Sequence, residues 1–228
     1  MKIFYSAKKE KRTSAFTLAE ILITLGIIGV VSILTIPTLM ADSRNKTYEA
    51  QLHKVYNELS QAALRYQTEK NALTLKEAGL NTQAAFETFM TKYFNVIQTC
   101  DGTTPCVAGS YRKLDGTAIT MPAGSTTFYS LASGASICPR IVADANYSYF
   151  IVDVNGAKGP NILGKDLFTL YLYDNGTIDD RLPDGSTEVP LTEAQREAQY
   201  TASCAGDGAS DIYGCFGKVL NDGWEIKY

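Results

Sequence analysis

Residues 13–41 read TSAFTLAEILITLGIIGVVSILTIPTLMA, and the fold turns on what this stretch is. Its last 21 residues, 21–41, carry no charge, and as a helix they reach about 31 Å, one hydrocarbon thickness. A buried core helix is the plainer alternative, but neither face is polar and the run is longer than soluble core helices usually need. The stretch is therefore expected to cross a bilayer once. A cleaved secretory signal also joins a basic region to an apolar run. This run is too long for one, and its only small-residue exit, Leu39-Met40-Ala41, puts a bulky leucine where a small side chain is wanted.

The flanks orient the span. Residues 1–15 hold five basic side chains (Lys2, Lys8, Lys9, Lys11, Arg12) against Glu10 alone, a local charge of +4, while Asp42 and Glu49 follow the apolar run. Positive charge stays cytoplasmic, so the bulk of the chain is expected outside. The 228 residues sum to −3, which leaves −7 for everything after Ala15. With no dense Lys/Arg run there is no electrostatic footprint for nucleic acid, and no such partner is expected. A hydrophobic share of 45% belongs to a globular chain rather than a disordered one. His53 is the only histidine, which excludes multi-histidine zinc sites and leaves a Ser-His-Asp triad dependent on a residue in a solvent-facing helix. No enzyme is expected.

Glu20 sits alone at the edge of the apolar run. A carboxylate there costs a few kcal/mol on insertion scales and normally marks a partner. Cleavage between Ala15 and Phe16 would create an amine of pKa about 8, a cation at the depth of Glu20. Within one helix that amine lies about one turn from Glu20; between two staggered copies, amine and carboxylate fix an axial register.

The basic leader, the small residue Ala15 and the run Phe16-Thr17-Leu18-Ala19-Glu20 resemble the type IV pilin and type II secretion pseudopilin superfamily. Precursors in that superfamily carry a short basic leader and a small residue, usually glycine, before Phe-Thr-Leu-x-Glu. The match covers about residues 8–40; alanine in place of glycine before the cut is the departure. Pro37 stands 22 residues into the processed chain, where pilins commonly have a proline, and Gly26 and Gly29 lie where the family tolerates helix-weakening residues. The resemblance implies cleavage by prepilin peptidase between Ala15 and Phe16, and methylation of the new Phe16 amine by the same enzyme. It also implies assembly through Phe16, Glu20, Gly26, Gly29 and Pro37. The implied partners are other pilin or pseudopilin subunits, prepilin peptidase, an inner-membrane assembly platform and membrane lipid.

Beyond the span, Tyr48, Leu52, Val55, Leu59, Ala62 and Tyr66 recur at spacings of 4, 3, 4, 3 and 4, the stripe of an amphipathic helix. Residues 16–70 are thus expected to form one rod of roughly 80 Å, membrane-spanning over 16–41 and periplasmic over 42–70. His53 lies beside the stripe as a partly exposed helix residue. A second helix is expected over residues 82–94, with Ala85, Phe86, Phe89, Met90 and Tyr93 on one face. From Cys100 onward short extended runs alternate with Gly, Pro, Asp and Asn. Residues 147–154 and 167–173 are the clearest, the latter closed by the tight-turn signal Asp174-Asn175-Gly176. The fold class is α+β, with a long amino-terminal helix laid on the antiparallel sheet of a periplasmic domain spanning 71–228; the resemblance makes that layout pilin-like.

Gly159-Pro-Asn-Ile-Leu-Gly164-Lys165-Asp166 is one residue short of a P-loop, but Asp166 replaces the hydroxyl residue and a strand-like run follows instead of a helix. Asp153, Asn155 and Asp166 surround a glycine-rich connection that suits calcium, as in some secretion pseudopilins; Asx turns use the same residues. Of five cysteines, Cys100 with Cys106 and Cys204 with Cys215 are the nearest pairs, and an oxidising compartment makes disulfides natural. Four cysteines permit three connectivities, and Cys138 is left over. The stretch DVNG-x-KGPN and the run Gly223-Trp224-Glu225-Ile226 also resemble elements of prepilin-type proteins. The expected function is a structural subunit of a type IV pilus or secretion pseudopilus. The alternative is a single-pass anchored, adhesin-like binding module that does not polymerise.

Overall fold

The computed structural model describes residues 16–121, 127–142, 145–181, 188–206, 208 and 211–228. They fall into two compact units, one ending at Ser43 and the other running Arg44–Tyr228. Helix α1, Leu18–Lys70, is continuous over 53 residues. Only Pro37 interrupts its ladder, by removing one N–H, and the helix continues through it. Hydroxyls near the proline turn back onto the backbone, Thr35 donating to the Val31 carbonyl at 2.9 Å and Thr38 to that of Thr35 at 2.9 Å, so these polar side chains need no outside partner.

In the larger unit the α1 stripe is buried: Tyr48, Leu52, Val55, Leu59, Ala62, Ala63 and Tyr66 all enter the core. Each fully buried leucine there contributes about 2 kcal/mol by its removal from water. Helix α2, Gln83–Tyr93, begins at Thr82, whose hydroxyl accepts the Ala85 N–H at 3.2 Å, a side-chain cap of the ordinary kind. It buries Phe86, Phe89 and Met90. Tyr66 meets Phe89 edge to face at 5.6 Å and Phe86 meets Phe150 at 5.8 Å, so aromatic packing ties α1 to α2 and α2 to the sheet.

The sheet has six antiparallel strands in the order β1-β4-β5-β6-β7-β8. These are β1 Val96–Asp101, β4 Thr127–Leu131, β5 Ser136–Ile141, β6 Tyr147–Asp153, β7 Leu167–Tyr173 and β8 Ile178–Asp179; β2 Tyr111–Arg112 and β3 Ala118–Ile119 form a separate small pair. The longest pairing runs from Tyr147 opposite Tyr173 to Asp153 opposite Leu167. All seven residues of β7 are buried, so both faces of the sheet are covered there. Between β7 and β8 the Thr177 N–H bonds to Asn175 Oδ1 at 2.9 Å, and Gly176 takes φ 85°, a conformation glycine adopts without steric cost.

Two expectations need correction. The sheet begins at Val96 rather than Cys100. Residues after β8 are not all extended: α3 Glu193–Gln199, a π-helical turn Tyr200–Cys204 and α4 Cys215–Asn221 follow. Helix α3 buries none of its residues, so it has no apolar period to read. Its signal is the capping box, in which Thr192 Oγ1 accepts the Gln195 N–H and Gln195 Oε1 accepts the Thr192 N–H.

Candidate functional site

The segment at the start of α1 is built around Thr17 and Glu20. Glu20 Oε2 accepts the Thr17 N–H at 2.8 Å and the Thr17 hydroxyl at 2.9 Å, while Thr17 Oγ1 lies 3.2 Å from the Glu20 N–H. This reciprocal pair is a capping box, which satisfies two amides that the helix start leaves without partners. The Thr-x-x-Glu spacing of a capping box stands in the sequence, and it gives the carboxylate a local partner besides any charge it meets. The box uses the Thr17 amide, so a cut between Ala15 and Phe16 would preserve it. Ala15 and the basic leader lie outside the described residues.

From Phe16 to Met40 the large apolar side chains are exposed, Phe16 by 83% and Ile33 by 75%. The most apolar 18-residue window of α1 has a mean hydropathy of 2.3 and none of it is buried. Among the described residues this is the one helix long and apolar enough to cross a membrane. Around Gly26 and Gly29 nothing approaches the place a Cβ would occupy, so both present open backbone on which another helix can pack closely.

Of the calcium candidates, the Asp153 and Asp166 carboxylates are engaged with protein, while Asn155 donates through Nδ2 to the Gly159 carbonyl at 3.2 Å and its Oδ1 is buried without a hydrogen-bond partner. Asp153 takes the Tyr111 hydroxyl on Oδ2 and the Asn155 N–H on Oδ1 at 3.0 Å. Asp166 accepts the N–H groups of Asn161 and Ile162, each at 2.7 Å. Both carboxylates thus hold the loop in shape, and among the described residues no group of three or more His, Cys, Asp or Glu side chains is arranged to hold a metal ion. Nor does Lys165 face a phosphate cradle; its ammonium bonds the Tyr228 backbone oxygen. Cys100 is bonded to Cys106 and Cys204 to Cys215, with Cα separations of 6.0 and 5.1 Å. Cys138 is a buried free thiol, pushed up to about 12 chiefly by desolvation, which makes it a poor nucleophile. His53 is exposed on α1, its ring 4.3 Å from that of Trp224.

A buried ionic group beside the sheet edge escaped the sequence reading. Arg196 grips Asp179 with two bonds of 2.8 and 2.7 Å, and Asp179 also accepts the Leu191 N–H. Neighbouring Asp180 accepts the N–H groups of Gly214 and Gly217 at 2.8 and 2.6 Å, fixing the start of α4. Buried Lys113 donates to the carbonyls of Ser203 and Gly206 at 2.6 and 2.9 Å. Single charged residues scattered in sequence carry no local pattern that would have revealed these partners.

Burial makes stability depend on pH. Desolvation first, and then the charge of Asp166, raises the Asp153 carboxyl to about 7 against the Tyr111 hydrogen bond that lowers it. Desolvation raises Asp180 to about 6 despite its three amide donors. A carboxyl whose folded pKa exceeds its unfolded value contributes stability below about pH 4 that is lost as pH rises through the folded pKa. The melting temperature of the detergent-solubilised chain is therefore expected to fall by several degrees between pH 5 and pH 8, and Asp153→Asn should flatten most of that slope.

Comparison with protein-family models, with curated proteins and with solved structures found no match for this chain.

Proposed function

We propose that this chain is a pilin-like structural subunit, made as an inner-membrane precursor and assembled through its amino-terminal helix into a type IV pilus or secretion pseudopilus. The observation that carries the reading is the coincidence at one helix start of an exposed apolar surface and a lone glutamate. None of the apolar stretch is buried among the described residues, and Glu20 stands four residues beyond Phe16. Apolar surface of this length is stable in lipid, or against the same surface of other copies.

On this reading the leader stays cytoplasmic and the Arg44–Tyr228 unit is periplasmic. Prepilin peptidase cuts after Ala15 and methylates Phe16. Glu20 then receives the Phe16 amine of a neighbouring subunit, Gly26 and Gly29 permit close helix approach, and Pro37 weakens the helix where packing asks it to bend. The two disulfides support an oxidising location, since cross-links of this kind persist there and are rare in the cytosol. An anchored binding module would share the span, the disulfides and the sheet. It would not need processing, so the amino terminus of mature protein separates the two: Phe16 for a filament subunit, an intact leader for an anchor.

A further inference from the structure

Three asparagines of the chain stand two places before a serine or threonine with no proline between them: Asn45-Lys46-Thr47, Asn146-Tyr147-Ser148 and Asn175-Gly176-Thr177. That is the acceptor pattern for N-linked sugar, which suits only a surface position in an exported chain. The structure sorts the three. Asn45 is partly buried, and its Nδ2, the atom that would carry the sugar, donates to the Ile226 carbonyl at 3.4 Å. Ile226 is itself buried, so a substituent on that nitrogen has no room.

Asn146 and Asn175 are exposed, and no hydrogen bond from either Nδ2 is found among the described residues. They belong to separate connections, one before β6 and one after β7, yet they lie at one end of the sheet. The Asp174 N–H donates to the Asn146 carbonyl at 2.9 Å, and Tyr147 pairs with Tyr173. This end sits beside the last turns of α1, where the Leu75 N–H donates to the Asp174 carbonyl at 2.8 Å and a Cβ on Gly176 would stand 3.2 Å from Gln67 Oε1. Gln67 is 23 residues beyond Arg44, about 35 Å along the helix. An open cleft of about 250 Å³ adjoins both asparagines, lined by their neighbours Tyr147, Ser148 and Asp174 and by Lys76 and Asn81. It has the scale of one sugar ring, and its ammonium, amide, hydroxyl and carboxylate groups can hydrogen-bond ring hydroxyls.

We infer that Asn146 and Asn175 are sites of N-linked glycosylation, with the adjoining cleft seating the sugar attached at this end of the sheet. In the reaction Nδ2 bonds to the anomeric carbon of an oligosaccharide carried on a lipid diphosphate. The bond from that carbon to the diphosphate oxygen breaks, the lipid diphosphate leaves with the electron pair, and the amide gives up one proton. Ser148 is paired on both sides within β6, so transfer precedes the closing of the sheet, and the folded unit has only to leave the product exposed. Transfer from such a donor takes place on exported chains, so the inference rests on the periplasmic location proposed above for the Arg44–Tyr228 unit.

Peptide mapping by mass spectrometry of the full chain from membranes of its native cell tests it, with free thiols counted in the same sample and Asn146→Gln/Asn175→Gln compared alongside. The expected result is a hexose or N-acetylhexosamine on the peptides holding Asn146 or Asn175, none on the peptide holding Asn45, and loss of the accompanying gel shift in the double variant. Bare Asn146 and Asn175 in a chain whose cysteines are disulfide-bonded would overturn the glycosylation and leave the location standing. The same bare residues with every thiol free would overturn both. Sugar on Asn45 would overturn the sorting of the three acceptors and the inference with it.

Discussion

Glu20→Gln is expected to leave the chain inserted in the membrane and folded, yet to reduce its recovery in sheared, sedimentable filaments about thirty-fold. Glutamine keeps the shape and hydrogen-bonding capacity of a capping box with Thr17, so the helix start survives. What it removes is the negative charge. If the carboxylate pairs with a neighbour's Phe16 amine in a water-poor environment, the pair is worth ~2 kcal/mol or more, by analogy with close charge pairs at interfaces. A loss of ~2 kcal/mol is about thirty-fold in the equilibrium for adding each subunit. Thr17→Val provides the opposite dissection. It removes the hydroxyl of the box and costs ~1 kcal/mol at the helix end, while leaving the charge of Glu20 in place, so filament recovery should fall far less. Equal recovery of Glu20→Gln and parent filaments would remove the assembly role of this carboxylate.

The second large effect belongs to the Arg44–Tyr228 unit. Arg196→Met should lower its melting temperature by about 10 °C, because it strands Asp179. That carboxylate is wholly buried and takes both of its 2.7–2.8 Å charge-assisted bonds from one guanidinium. Breaking one side of a buried pair costs ~3–5 kcal/mol, and each kcal/mol moves the transition of a domain this size by about 2–4 °C. Asp179→Asn added to Arg196→Met should recover part of the loss. The amide removes the unpaired charge and keeps one oxygen, which can accept either the Asp180 N–H, now on Oδ1, or the Leu191 N–H, now on Oδ2. A double variant no more stable than Arg196→Met would show that packing by the arginine stem, rather than the charge, sets the cost. Thermal melts read out by circular dichroism in detergent measure both.

How much of this was readable in the sequence depends on the range of the interaction. The apolar run at residues 21–41 and the 4-3-4-3-4 stripe from Tyr48 to Tyr66 are periodic signals, and both belong to α1 as read. Helix α2 ends within one residue of the expected limits because Thr82 is a side-chain cap and the Phe86, Phe89, Met90 face is apolar. The turn at Asp174-Asn175-Gly176 was legible from local chemistry alone. By contrast α3 hides because it is polar all round, and α4 because its start is set by Asp180, 34 residues from Gly214. The capping box of Thr17 and Glu20 lay in plain view as a four-residue spacing. The Thr17 N–H and hydroxyl supply its carboxylate with local donors beside the intermolecular amine that the assembly reading gives it. Asp153, Asn155 and Asp166 have the composition of a cation loop, but composition does not say that backbone amides reach the Asp153 and Asp166 carboxylates.

The central claim is that proteolysis after Ala15 frees a cation for Glu20 to receive. Intact-mass and amino-terminal peptide analysis of the protein from membranes and surface fractions of its native cell addresses this most directly. The account predicts a chain beginning at Phe16, with one methyl group on its amine, in both fractions. A mature chain that still carries Lys8, Lys9, Lys11 and Arg12 ahead of Phe16 would contradict it and leave an unprocessed membrane anchor.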